Sequence, residues 1–220
     1  MNSSIVRKLD FSDVLLYGVT TSIPDSEFIL MQSEKMLKGG VDAIQLRNKD
    51  LKDRALLDLG EKLKNLCHQY EALFLIDDRP DLALILDADG VHLGHEDMPL
   101  EKARELIGHR KILGASTHSL PQALKAQKAG ADYVSCGPIW GTPTKPDTAS
   151  VGLNLIGLYR AALKVPFVVI GGVNLKNIHE IVIAGGRRVA VVRALFDSPD
   201  PEKMALELKE TLKGTVASQI

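Results

Sequence analysis

The sequence predicts a (β/α)8 TIM barrel forming a single domain. Short β-branched or aliphatic runs alternate with segments of helical period about eight times. The runs are almost continuously apolar, as parallel strands covered on both faces must be. No linker, low-complexity tract or domain-scale change of composition interrupts the 220 residues, and α/β barrels of this size run undivided.

Strands are expected at residues 15–20, 43–47, 73–77, 90–93, 112–115, 133–136, 167–170 and 189–192. Helical periodicity is clearest at 50–70, 121–129 and 175–184. Gly39-Gly40, Asp89-Gly90, Ala129-Gly130 and Gly185-Gly186 mark changeovers, as helix C-caps entering strands would. Residues 1–13 read as an N-terminal extension suited to closing one end of the barrel, which occupies 14–220. No GxGxxG opens the first βα turn and no GxxxxGK[ST] occurs, which argues against a dinucleotide fold or a P-loop.

Hydrophobic residues make up 45% and charged residues 25%, with a formal net charge of −1, so neither nucleic acid nor an acidic membrane is an expected partner. Any anion site must therefore be built locally. Cys67 and Cys136 belong to no CxxC or Cys/His spacing and read as small apolar residues of a reducing compartment. The start lacks the apolar core of a secretory signal, and no run approaches the ~18 apolar residues of a membrane span. The cytoplasm is the expected location by default, and homo-oligomer formation is left open.

Catalytic residues of a barrel lie at the C-terminal ends of its strands. Strand two ends in Gln45-Leu46-Arg47-Asn48-Lys49, whose odd positions share one face of an extended chain. One amide and two cations there suit a polyanion, although a salt-bridged strand end with a helix cap fits equally well. Strand three ends in Asp77-Asp78-Arg79-Pro80. Adjacent carboxylates can hold Mg2+, yet Asp78 also reads as an N-cap before an early proline, and Asp97 carries the same double meaning one strand later. Ser116 ends strand five. The loop 137–148, with Thr142, Pro143, Thr144 and Lys145, offers hydroxyls, backbone N–H groups and a point charge for phosphate. Gly171-Gly172 and Val192-Arg193 end strands seven and eight, where this fold often holds phosphate. Two anion sites suggest a reaction joining two small phosphorylated substrates. His92, His95 and His118 lack zinc spacing, and no nucleophilic triad motif occurs.

Taken in order, these segments resemble thiamine phosphate synthases. The resemblance rests on Gln-Leu-Arg-x-Lys at 45–49, acidic Asp77-Asp78, Gly-Val-His-Leu-Gly-x-Glu-Asp at 90–97, Ser116, Gly137-Pro138-Ile139, Thr142-Pro143-Thr144-Lys145 and Gly171-Gly172. It implies that Gln45, Leu46, Arg47, Asn48, Lys49, Asp77, Ser116 and Lys145 bind hydroxymethylpyrimidine diphosphate. Arg47, Lys49, Lys145 and Ser116 form the implied catalytic set, and Asp78 and Asp97 the Mg2+ ligands. Thr142, Pro143, Thr144, Gly172, Val192 and Arg193 would hold thiazole phosphate. The implied reaction yields thiamine phosphate and pyrophosphate, with CO2 lost from the carboxylated thiazole. Asp77, His95 and Arg193 depart from the usual asparagine, glutamine and serine, and Arg79 or the metal is expected to offset the Asp77 charge. A thiazole tautomerase, a phosphosugar enzyme and a silent phosphate sensor are the rivals; the retained Asp78, Asp97 and Lys145 argue against the first and last.

Overall fold

The structure, a computed structural model, describes residues 10–142 and 148–216. Eight parallel strands close into a barrel in sequence order: β1 Leu16–Val19, β2 Ala43–Leu46, β3 Leu73–Asp77, β4 Gly90–Leu93, β5 Ile112–Thr117, β6 Tyr133–Cys136, β7 Phe167–Ile170 and β8 Val189–Val191. The seam is β1 against β8, with Leu16 opposite Val189. The helices between strands are α1 Ser26–Lys38, α2 Asp53–Gln69, α3 Pro80–Ile85, α4 Leu100–Ile107, α5 Leu120–Lys128, α6 Asn154–Ala162 and α7 Ile178–Ile183, followed by α8 Arg193–Phe196 and α9 Pro201–Val216.

Side-chain alternation divides the apolar residues into two bodies. Outward strand residues such as Ile44, Leu46, Phe74, Ile76, Val91 and Val134 pack under the helices. Inward residues, among them Tyr17, Leu73, Leu75, Tyr133 and Val168, fill the lower barrel. A short 3-10 turn at Phe11–Asp13 precedes β1 and brings Phe11 into that inner body, stacked on Tyr133 with ring centroids 3.5 Å apart. Apolar packing therefore fills the N-terminal end, and polar inward positions are left to the opposite end.

Gly40, Gly130 and Gly185 adopt φ values of 92°, 90° and 96° just after α1, α5 and α7, the left-handed geometry of a helix exit. Asp89-Gly90 differs from its expected role, because α3 has already ended at Ile85. A Cβ on Gly90 would stand 2.3 Å from the Ile112 carbonyl oxygen, so this glycine serves close strand packing.

Candidate active site

A cavity of about 1140 Å³ opens at the C-terminal ends of the strands. Gln45, Arg47, Lys49, Asp77, Asp78, Asp97, Ser116, Thr142, Gly172, Val192 and Arg193 all line it. Alternation along β2 turns Gln45 and Arg47 inward and sends Leu46 outward into the packing beneath the helices. Asn48 is also directed away: its Nδ2 donates to the Ile23 carbonyl at 2.7 Å, and its Oδ1 accepts the N–H groups of Asp50 and Leu51. Leu46 and Asn48 thus keep the loop in shape, and any contact they made with a ligand would fall to their backbone. Pro143, Thr144 and Lys145 lie outside the described residues.

The cations at the end of β2 face the carboxylates at the end of β3. Arg47 Nε lies 3.6 Å and Lys49 Nζ 3.7 Å from the same Asp77 oxygen. Lys49 also pairs with Asp78. Arg79, expected to offset Asp77, turns outward to Asp53 and Asp81 at 2.9 and 2.6 Å. Arg47 and Lys49 provide the offset.

Neither Asp78 nor Asp97 acts as a helix N-cap. α3 is preceded by Arg79 and α4 by Pro99, and neither end has a side-chain cap. Asp78 sits at φ 60°, a left-handed conformation that aspartate tolerates better than most residues. Asp97 Oδ2 accepts the Gly94 N–H at 2.6 Å, tying together the loop after β4. Among the described residues no group of three or more His, Cys, Asp or Glu is arranged to hold a metal. Two carboxylates suffice for Mg2+ only where water and substrate phosphate complete its shell. Lys49, paired with Asp78, shows that the position accepts a cation. The donor set fits a hard ion brought in with a diphosphate.

The ends of β7 and β8 offer backbone instead of carboxylates. Gly171 and Gly172 have φ values of 101° and 70°, and a Cβ on Gly172 would stand 2.9 Å from Trp140 Cβ. The Gly172 carbonyl accepts from the side-chain amides of Asn174 and Asn177, each at 2.9 Å, which fixes the following peptide. Arg193 opens α8 at the cavity wall and pairs with Asp197 at 3.2 Å.

Sequence reasoning missed the floor of the cavity. Gln45 Nε2 donates to Tyr17 Oη at 3.1 Å, and Tyr17 Oη meets Tyr133 Oη at 3.2 Å. Tyr133 Oη lies 2.9 Å from His92 Nδ1, and His92 Nε2 lies 3.0 Å from Ser116 Oγ. His92, read from spacing only as an unsuitable zinc ligand, joins the buried Tyr133 to the cavity-lining Ser116. Burial pushes the Tyr17 and Tyr133 phenols up and keeps their protons in place. The local signal was one polar residue at an inward position near the end of each of β2, β4 and β5, namely Gln45, His92 and Ser116.

Comparisons with known proteins point to one family. A family model described as thiamine monophosphate synthase matches residues 16–195. A curated thiamine-phosphate synthase of Thermus thermophilus is 45% identical over 202 residues, covering 90% of this chain and 97% of its own length. Another, from Nostoc, is 46% identical over 186 residues; the match covers 84% of this chain but 52% of that longer relative. Among solved structures, a thiamine phosphate pyrophosphorylase from Pyrococcus furiosus superposes with a TM-score of 0.83 at 38% identity, covering 92% of this chain and 97% of its own.

Proposed function

Because the chain belongs to the thiamine monophosphate synthase family, we propose that it joins 4-amino-2-methyl-5-hydroxymethylpyrimidine diphosphate to thiazole phosphate. Thiamine phosphate and pyrophosphate are the products, and the carboxylated thiazole would also release CO2. The observation that carries this reading is a divided cavity. Arg47, Lys49, Asp77, Asp78 and Asp97 lie on the β2–β4 side, and Gly171-Gly172 after β7 and Val192-Arg193 after β8 lie across from them. Its volume exceeds the ~300–1,000 Å³ usual for one small ligand.

Arg47 and Lys49 are placed to bind the diphosphate, with Lys145 assigned to the same group by the family pattern. As the bond between the methylene carbon and the bridging oxygen breaks, its electron pair leaves on pyrophosphate, and these cations stabilise the developing charge. The aminopyrimidine carries the positive charge left on the methylene, and the thiazole nitrogen closes the new bond with its own lone pair. No general base is required for that step. Among described residues lining the cavity, Arg47, Lys49 and Arg193 face four carboxylates, Asp77, Asp78, Glu96 and Asp97. With Lys145 added, the cations only balance these carboxylates, so a diphosphate entering alone would bring uncompensated negative charge. Asp78 and Asp97 would hold Mg2+, which supplies charge neutralisation to the leaving oxygens when bound.

Gly172, Val192, Arg193 and Thr142, with Pro143 and Thr144, form the proposed grip on the thiazole phosphate. No helix among the described residues is long and apolar enough to cross a membrane, and Cys67 and Cys136 are free and buried. A cytoplasmic enzyme taking two small phosphorylated substrates is the reading these features support. Purified protein with Mg2+ and both substrates should release pyrophosphate and thiamine phosphate in equal amounts. Absence of both products with either thiazole form would overturn the assignment.

A further inference from the structure

Five polar side chains at and beneath the cavity are linked in series, Gln45–Tyr17–Tyr133–His92–Ser116. One direction gives each buried phenol proton an acceptor within reach. Gln45 presents Nε2 to Tyr17, and an amide nitrogen only donates. Tyr17 therefore accepts from Gln45 and spends its single proton on Tyr133. Tyr133, having accepted, spends its own proton on His92 Nδ1. An imidazole that accepts at Nδ1 is neutral and carries its proton on Nε2, which donates to Ser116 Oγ. Ser116 then accepts from below, and its hydroxyl proton is directed to the cavity.

We infer that His92 is a positioning residue, held in the Nε2–H tautomer by the Tyr17–Tyr133 pair so that Ser116 faces the ligand as a hydrogen-bond donor. Packing keeps the links in place. Phe11 stacks on Tyr133 with an interplanar angle of 5°, and a Cβ on Gly114 would stand 2.2 Å from Tyr133 Cζ. Gln45, Tyr17, Tyr133 and His92 are all buried, so water has little access to reverse the order. Reversal would need the Gln45 amide to turn over, which would leave Ser116 an acceptor. The two cavity walls are thereby coupled: the amide orientation at β2 decides what β5 presents.

The test is histidine ¹⁵N NMR on the intact protein, which distinguishes the two neutral tautomers and the imidazolium without substrate. The wild type should show His92 protonated on Nε2 alone. Tyr133→Phe removes the proton aimed at Nδ1 and should release the tautomer preference; Tyr17→Phe should weaken it while leaving Tyr133 in place. Finding the Nδ1–H form or the imidazolium in the wild type would overturn the inference, even if neither variant folds. A kinetic arm rests on the reaction proposed above. His92→Gln, whose amide nitrogen can take the place of Nε2, should retain kcat within roughly threefold, whereas His92→Asn, one carbon shorter, should lose roughly tenfold or more with little change in KM. Equal losses in the two variants would contradict donation through Nε2. Because the tautomer is read without turnover, failure to make thiamine phosphate would refute the reaction and leave the tautomer result standing.

Discussion

Arg47 Nε stands 3.6 Å and Lys49 Nζ 3.7 Å from one oxygen of Asp77, so a single carboxylate engages both cations at the end of β2. Both separations exceed that of a tight hydrogen bond, so Asp77 itself holds neither cation fast; Lys49 is held by Asp78. Asp77→Asn keeps the shape and removes a charge that repels diphosphate. At an effective dielectric suited to a partly exposed pair, the gain is about 1 kcal/mol, or roughly fivefold in affinity. Calorimetric titration with magnesium pyrophosphate should show that tightening at low salt and a smaller one at high salt. Unchanged or weaker binding would assign Asp77 an aligning role instead.

Asp78 pairs with Lys49 and points into the cavity from a left-handed backbone position. Asp78→Asn should raise the Mg2+ concentration needed for half-maximal activity by about tenfold and lower kcat/KM by about a hundredfold. Thermal stability should change little, because the side chain is no helix cap. A Mg2+ titration of turnover checks both numbers; an unaltered midpoint would exclude Asp78 as a ligand.

Arg193 lies across the cavity from that cluster, and its partner Asp197 sits on the same turn of chain. Arg193→Ala should raise KM for the thiazole phosphate by about tenfold, the worth of one charge-assisted hydrogen bond. KM for the pyrimidine diphosphate should stay within twofold, roughly. Equal effects on both substrates would contradict the division of the cavity.

Alkaline conditions should destabilise the fold. Burial pushes the Cys136 thiol and the Tyr159 phenol each up to about 12, and it raises Cys67, Tyr17 and Tyr133 as well. The folded chain keeps these protons while the unfolded chain loses them, so their contribution is complete below the ordinary thiol value and declines as pH rises toward the folded value. Each group can cost up to ~1.4 kcal/mol per pH unit within that window. Urea midpoints should be level near about pH 8 and fall steadily above about pH 9. A flat profile to about pH 11 would contradict it.

The barrel was largely legible because its strands are apolar runs closed by turn residues. β3, β4, β6 and β7 have the expected limits. β5 runs on through Ser116 and Thr117, past its expected end at 115, because both pair with β6, opposite Ser135 and Cys136, and polar residues hid that pairing from the apolar pattern. The strand-end clusters at 45–49 and 77–78 were legible for the same reason: alternation directs Arg47 and Asp77 inward. The chain through Tyr17, Tyr133 and His92 was not. Tyr17 and Tyr133 are 116 positions apart, and only closure of the ring brings them together. Arg79 misled because adjacency in sequence suggested it for Asp77, whereas the turn into α3 directs it to Asp53 and Asp81.

The β1–β8 seam has a bearing on how the molecule is made. Val189 N–H donates to the Leu15 carbonyl, and the ladder from Leu16 to Gly18 has no partner on that side until Val189–Val191 arrives. At a ribosomal pace of roughly 5–20 residues per second, that edge waits on the order of ten seconds or more. During the wait the nascent protein presents an open parallel sheet whose first strand can pair with foreign chains. A nascent chain stalled before β8 should therefore be the species most dependent on chaperones, and release of the last strand should end that dependence in one step.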